Sequence, residues 1–63
     1  MPIILAKIIA GRPPEKLERF IDAVTAAASE ALDAPPESVR VIIEEVPKTH
    51  WGIGGKSAKA LGK

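Results

Sequence analysis

A free prolyl nitrogen is a secondary amine, both basic and nucleophilic, and this chain carries proline at its second position, Pro2. Met-Pro is a common chain start, so the dipeptide alone says little. Context says more. Pro2 leads directly into an apolar run, which would hold its nitrogen in a half-dry setting where the ammonium form is disfavoured. An ordinary α-amino group titrates at roughly 7.7–8.0. Burial beside cations would bring a more basic prolyl amine down toward neutrality, where it can act as a general base without a histidine. While Met1 is attached, that nitrogen is an amide and has no lone pair to offer. A small second residue favours aminopeptidase trimming, so Met1 is expected to be removed from the functional protein.

Three arginines accompany Pro2. Arg12 follows a strand end at Gly11, a usual place for functional side chains. Arg40 sits between two valines inside a second apolar run, where a cation must cross to water, pair with Glu44 on the same face, or bind an anionic ligand. Arg19 falls on the polar side of the intervening helix. A guanidinium grips a carboxylate through two parallel hydrogen bonds, so Arg12 and Arg40 together would suit a substrate with two acidic ends. The glycine-rich stretch His50-Trp51-Gly52-Ile53-Gly54-Gly55 does not lie between a strand and a helix N-terminus, which argues against a nucleotide site. Trp51 is expected to cap an apolar cavity or pack at a subunit contact, and His50 to be a surface or interface residue. Lys56, Lys59 and Lys63 read as a solvated tail that can lie on a neighbour.

The elements that must position these groups are legible from periodicity. Ile3–Ile9 is rich in β-branched residues and apolar on both faces, as in a strand with protein on either side. Pro13 and Pro14 suit a helix's first turn, and Glu15 complements the positive end of the helix dipole. Leu17, Phe20, Ile21, Val24, Ala28, Ala31 and Leu32 follow at helical spacing, predicting a helix over Pro14–Leu32 with one apolar stripe. Asp33-Ala34-Pro35-Pro36 must end it. Residues 39–46 predict a second strand, with Val39, Val41 and Ile43 on one face and Arg40, Ile42 and Glu44 on the other. Strand, helix and strand make a right-handed βαβ unit with parallel strands, one sheet face covered and the other bare. From Pro47 onward the glycines predict a loop or tight hairpin. The class is α+β, one domain over residues 1–63, with no internal repeat.

Composition bounds the rest. At 63 residues with no cysteine and one histidine, neither disulfides nor a metal cluster can staple the fold, and 46% hydrophobic residues exceed what so short a chain can hide. A homo-oligomer with a buried interface is the expected outcome. A formal charge of +1 and two aromatics, Phe20 and Trp51, give no basis for binding nucleic acid or an anionic membrane. The run Ile3–Ile9 is broken by Lys7 and too short to span a bilayer. A soluble cytoplasmic protein is the default.

Taken in order, Pro2-Ile3-Ile4, Gly11-Arg12, Leu32-Asp33-Ala34-Pro35, Ser38-Val39-Arg40-Val41-Ile42-Ile43-Glu44 and His50-Trp51-Gly52-Ile53-Gly54-Gly55 resemble the 4-oxalocrotonate tautomerase family nearly end to end. The resemblance implies βαβ subunits that pair into dimers with a four-stranded sheet, three dimers forming a hexamer with sites shared between chains. It implies a keto–enol tautomerase acting on 2-hydroxymuconate or a close unsaturated diacid, in the breakdown of aromatic compounds, with no cofactor or metal. Pro2 then matches the proton-shuttling base, Arg12 the residue that holds the distal carboxylate, and Arg40 the one at the 2-hydroxyl or oxo group and its neighbouring carboxylate. Trp51 stands where the family often has phenylalanine, and Pro13-Pro14 is a second departure. Two alternatives remain. Related superfamily members hydrate or dehalogenate small unsaturated acids, for which Glu44 or Glu45 would have to activate water. A non-catalytic oligomer subunit is the other.

Overall fold

The computed structural model describes residues 2–63; Met1, whose removal the prolyl chemistry requires, lies outside them. Strand β1 is Ile3–Ile9, helix α1 is Pro14–Leu32, a 3-10 turn spans Pro36–Ser38, and strand β2 is Arg40–Val46. A second 3-10 turn, Lys48–His50, leads into the two-residue strands β3, Gly52–Ile53, and β4, Lys56–Ser57. The expected βαβ unit is present, and the carboxy-terminal segment takes the tight-hairpin option.

Local chemistry sets each boundary. Pro13 is the extended residue before α1, Pro14 occupies the first helical position where a missing N–H costs nothing, and Lys16 N–H closes the first turn on Pro13 O at 3.0 Å. The helix ends with Asp33 in the left-handed region at φ 53°, and the N–H groups of Asp33 and Ala34 both turn back to Ser29 O. Aspartate tolerates this conformation better than most non-glycine residues. The second strand begins one residue later than the periodicity predicts, because Val39 N–H is bonded to Pro36 O at 3.1 Å and finishes the preceding turn.

β1 and β2 pair in parallel from Ile3↔Arg40 through Ile9↔Val46. Additional bonds from Arg40 N–H to Pro2 O at 3.0 Å and from Ala10 N–H to Val46 O at 2.8 Å extend the ladder at both ends. Directly paired residues share a face, so Ile4, Ala6, Ile8, Val41 and Ile43 are half-buried beneath the helix. The helix contributes Leu17, Val24, Thr25, Ala28 and Ser29 to that contact. Phe20, Ile21, Ala31 and Leu32 do not join it, contrary to the expected stripe: Phe20 and Ile21 are each 39% exposed and Leu32 61%, because a sheet of two strands covers only a narrow strip of the helix.

The opposite sheet face carries Ile3, Leu5 and Lys7 beside Arg40, Ile42 and Glu44. Nothing among the described residues covers it. Ile3, Leu5 and Ile42 are 62%, 69% and 54% exposed, so within a single chain β1 meets protein on one face only. Among the described residues only Val39 and Ala58 are buried, and no large side chain is fully enclosed. The chain exposes 4754 Å² where a compact 6.7 kDa monomer would expose about 3,900 Å². Its radius of gyration is 14.5 Å, against about 11 Å for a compact domain of this length. The shape is that of a subunit. Burying each apolar side chain on the bare face would contribute on the order of 1–2 kcal/mol. The thermal midpoint of the wild-type protein is therefore expected to rise with protein concentration. Leu5→Asp, which places a charge in the middle of the bare face, should shift the sedimenting species to lower mass; an unchanged mass would show that this face is not buried by another chain.

Candidate active site

The parallel ladder fixes Pro2. Its carbonyl accepts the Arg40 amide, which holds the half-buried ring beside the first residue of β2. The Arg40 side chain is not paired with Glu44, one of the options open to it. Its Nη1 donates to Glu37 O at 2.6 Å and lies 3.5 Å from Val39 O, so the guanidinium rests against the 3-10 turn that precedes β2. Glu44 instead pairs with Lys7, its register partner, at 3.6 Å, both side chains being largely exposed. That ion pair lies two residues short of the far end of the ladder from Pro2. Glu45 follows Glu44 toward the same end, so within one chain neither carboxylate lies beside Pro2.

Arg12 belongs to the other end of the sheet. β1 ends at Ile9, the chain turns at Gly11 with φ 134°, and Arg12 Nη1 donates back to Ile9 O at 3.1 Å. This leaves most of an exposed guanidinium free. A seven-residue strand advances roughly 23 Å. Within one chain, then, Pro2 and Arg40 share an end of the sheet while Arg12 is a strand length away. A site that holds all three must draw Arg12 from a different chain than it draws Pro2.

Trp51 is half-buried and leaves from the Arg12 end, five residues beyond the end of β2. Its carbonyl accepts Ala58 N–H at 2.7 Å, and the hairpin closes on Gly52↔Ser57 and Ile53↔Lys56. Gly54 and Gly55 form the two-residue turn with φ of 59° and 91°, values suited to a primed hairpin turn and accessible at little cost to glycine. His50 is exposed, with its amide on Pro47 O. No group of His, Asp or Glu among the described residues could hold a metal ion, and no helix is long and apolar enough to cross a membrane.

The pattern reading passed over Lys16 and Arg19. Arg12 lines an open groove of about 510 Å³ together with Ile8, Lys16, Leu17, Arg19, Phe20 and Ala23. Arg19, expected on the polar side of the helix, therefore stands at the mouth of a cavity. The missed signal was the spacing 16, 19, 20 and 23, one helix face at i, i+3, i+4 and i+7.

A prolyl nitrogen and guanidinium groups, held by backbone and lacking any metal cluster beside them, can move a proton and bind carboxylate. The family model for tautomerase enzymes matches residues 2–61, a span that starts at Pro2. The chain belongs to the tautomerase enzyme family. Its chemistry is tautomerisation, and it is an isomerase. The chain is 56% identical over all 63 residues, the full length of both proteins, to a 2-hydroxymuconate tautomerase from Stutzerimonas stutzeri. An isozyme structure of 4-oxalocrotonate tautomerase from Methylibium petroleiphilum superimposes with a TM-score of 0.94 at 52% identity, covering 98% of this chain and 100% of that one. A heterohexamer 4-oxalocrotonate tautomerase from Chloroflexus aurantiacus gives a TM-score of 0.92 at 41% identity over 97% and 98% of the two chains. For this tautomerase the hairpin that carries Trp51 is testable directly. Gly55→Val forces a branched side chain into the left-handed region at a cost of about 1–3 kcal/mol. It should lower the melting temperature and shift the emission of Trp51, the single tryptophan of the chain; an unaltered spectrum would show that the turn does not govern the indole's surroundings.

Proposed function

We propose that the enzyme interconverts 2-hydroxymuconate, or a close unsaturated diacid, with its conjugated 2-oxo isomer, using Pro2 as the proton carrier once Met1 has been removed. The neutral prolyl nitrogen takes the proton of the dienol hydroxyl. Negative charge spreads through the conjugated chain as a dienolate, and the resulting prolyl ammonium returns the proton to a carbon of that chain, leaving the ketone. No atom is gained or lost, and the base is regenerated. Arg40 binds the oxygen on which charge develops and the adjacent carboxylate. Arg12 holds the distal carboxylate and so sets the orientation of the chain. Trp51 lines the apolar part of the pocket, where its indole is bulkier than the phenylalanine common in the family and narrows the choice of diacid.

The observation that carries this reading is the placement of Pro2 and Arg40 together at one end of the sheet, with Arg12 at the other. Such a chain is useful as a catalyst only in an assembly that brings one subunit's Arg12 to another's Pro2. The exposed Ile3, Leu5 and Ile42 supply the apolar surface for that assembly. The oligomer is a homohexamer built as a trimer of dimers, working in the cytoplasm on an intermediate of aromatic-compound breakdown. The relatives named as 2-hydroxymuconate tautomerases support the substrate, and the heterohexamer among the structural neighbours supports an assembly of six chains.

Three substitutions separate the roles in an ultraviolet assay of 2-hydroxymuconate ketonisation. Pro2→Ala should lower kcat by about 10² or more, the usual contribution of a positioned acid–base group. Arg12→Ala should act mainly on KM, raising it about 10- to 100-fold through loss of a charge-assisted grip on carboxylate. Arg40→Ala should act mainly on kcat, by about 10²–10³-fold, because it removes stabilisation of developing charge. Undiminished turnover in Pro2→Ala, or active protein whose intact mass includes Met1, would overturn the mechanism.

A further inference from the structure

The groove beside Arg12 has a composition that a single-carboxylate grip does not require. Its floor is apolar, made by Ile8, Leu17, Phe20 and Ala23, and its rim carries three cations, Arg12, Lys16 and Arg19. None of the rim cations is neutralised: the one ion pair among the described residues is Lys7 with Glu44, on the bare face of the sheet. Glu15 and Asp22 lie one turn either side of Arg19 on the adjoining strip of the helix, Glu18 lies on the far side, and none of the three lines the groove. The groove runs along the first half of α1, where the positive end of the helix dipole adds to the potential. An apolar trough with a cationic rim fits the hydrocarbon end of an organic acid and the anionic group that terminates it.

We propose that Lys16 and Arg19 are specificity-determining residues of the reaction, extending the Arg12 carboxylate position into a three-cation subsite that selects substrates anionic at the end remote from the reacting carbons. This rests on the reading that Arg12 receives the distal carboxylate. With Arg12 alone, one fork of donors meets one carboxylate. With Lys16 one turn into the helix and Arg19 one turn further on, the same carboxylate is drawn in by a field of three like charges, and both its oxygens can be satisfied in more than one orientation. The consequence is capture of the diacid at low concentration and rejection of an acid of the same skeleton that lacks the distal charge, whose apolar end would leave the three cations crowded and unrelieved.

The test compares 2-hydroxymuconate with the mono-acid dienol lacking the distal carboxylate, in the wild type, Arg12→Ala and the double variant Lys16→Gln/Arg19→Gln. Glutamine removes the charge while keeping part of the aliphatic stem and a high helix propensity on an exposed helix face, and circular dichroism and sedimentation verify the assembly. The double variant should lose about 3- to 10-fold in preference for the diacid, the loss falling on KM, as expected for two solvent-screened ionic contacts. The wild-type KM for the diacid should also rise more steeply with sodium chloride than that of the variant. If Arg12→Ala loses diacid preference while the double variant keeps the wild-type preference and salt dependence, Lys16 and Arg19 are solvated helix cations and the inference fails by itself. If Arg12→Ala keeps the preference as well, the distal carboxylate is not held at Arg12, and both readings fall.

Discussion

Parallel pairing of two seven-residue strands governs what this chain can and cannot do alone. Parallel strands begin at one end and finish at the other, so groups at strand starts are separated from groups after strand ends by the strand's full length. Pro2 and Arg40 are start groups, joined by the bond from the Arg40 amide to the Pro2 carbonyl. Arg12 is an end group, braced on Ile9 O. No rotamer of an arginine side chain spans that separation. The catalytic apparatus we assign is therefore a property of an assembly.

The same sheet explains why an assembly forms. Two strands and one helix leave a sheet face with no cover and a carboxy-terminal hairpin standing off the body, so the surface of the isolated chain is well above that of a compact domain of equal mass. With Val39 and Ala58 as the buried apolar residues among those described, the intrachain core cannot offset the conformational entropy of ordering the chain. Burial between chains has to supply the difference. Stability thus depends on covering the surface that carries Ile3, Leu5 and Ile42, and the site we propose requires assembly as well.

Much of this was legible in the residues. The helix limits at Pro14 and Leu32 followed from proline chemistry at both ends, and the strand alternation around Arg40 placed it on the bare face, as observed. The Gly54-Gly55 pair was compatible with loop or hairpin, because glycine permits both; the Gly52↔Ser57 and Ile53↔Lys56 pairing resolves the choice. Two features were not legible. Phe20, Ile21, Ala31 and Leu32 fit the apolar stripe but stay exposed above a sheet only two strands wide, which periodicity along one helix cannot reveal. Arg19 is exposed, as its place on the polar side of the helix predicts, but its position beside Arg12 depends on how the loop of residues 10–13 returns the chain over β1, a tertiary fact.

The central claim is that a working site takes Pro2 and Arg12 from different chains. Co-assembly of two impaired proteins tests it most directly: Pro2→Ala and Arg12→Ala chains are denatured, mixed in equal amounts and refolded together, and ketonisation is measured, at substrate well below the Arg12→Ala KM, against each variant refolded alone. Random mixing in a symmetric oligomer with shared sites should return activity at about one quarter of the sites, because each needs an intact Pro2 and an intact Arg12 from separate donors. Mixed oligomers, verified by mass, that stay as inactive as their parents would contradict the account, since sites contained within single chains cannot be repaired by mixing.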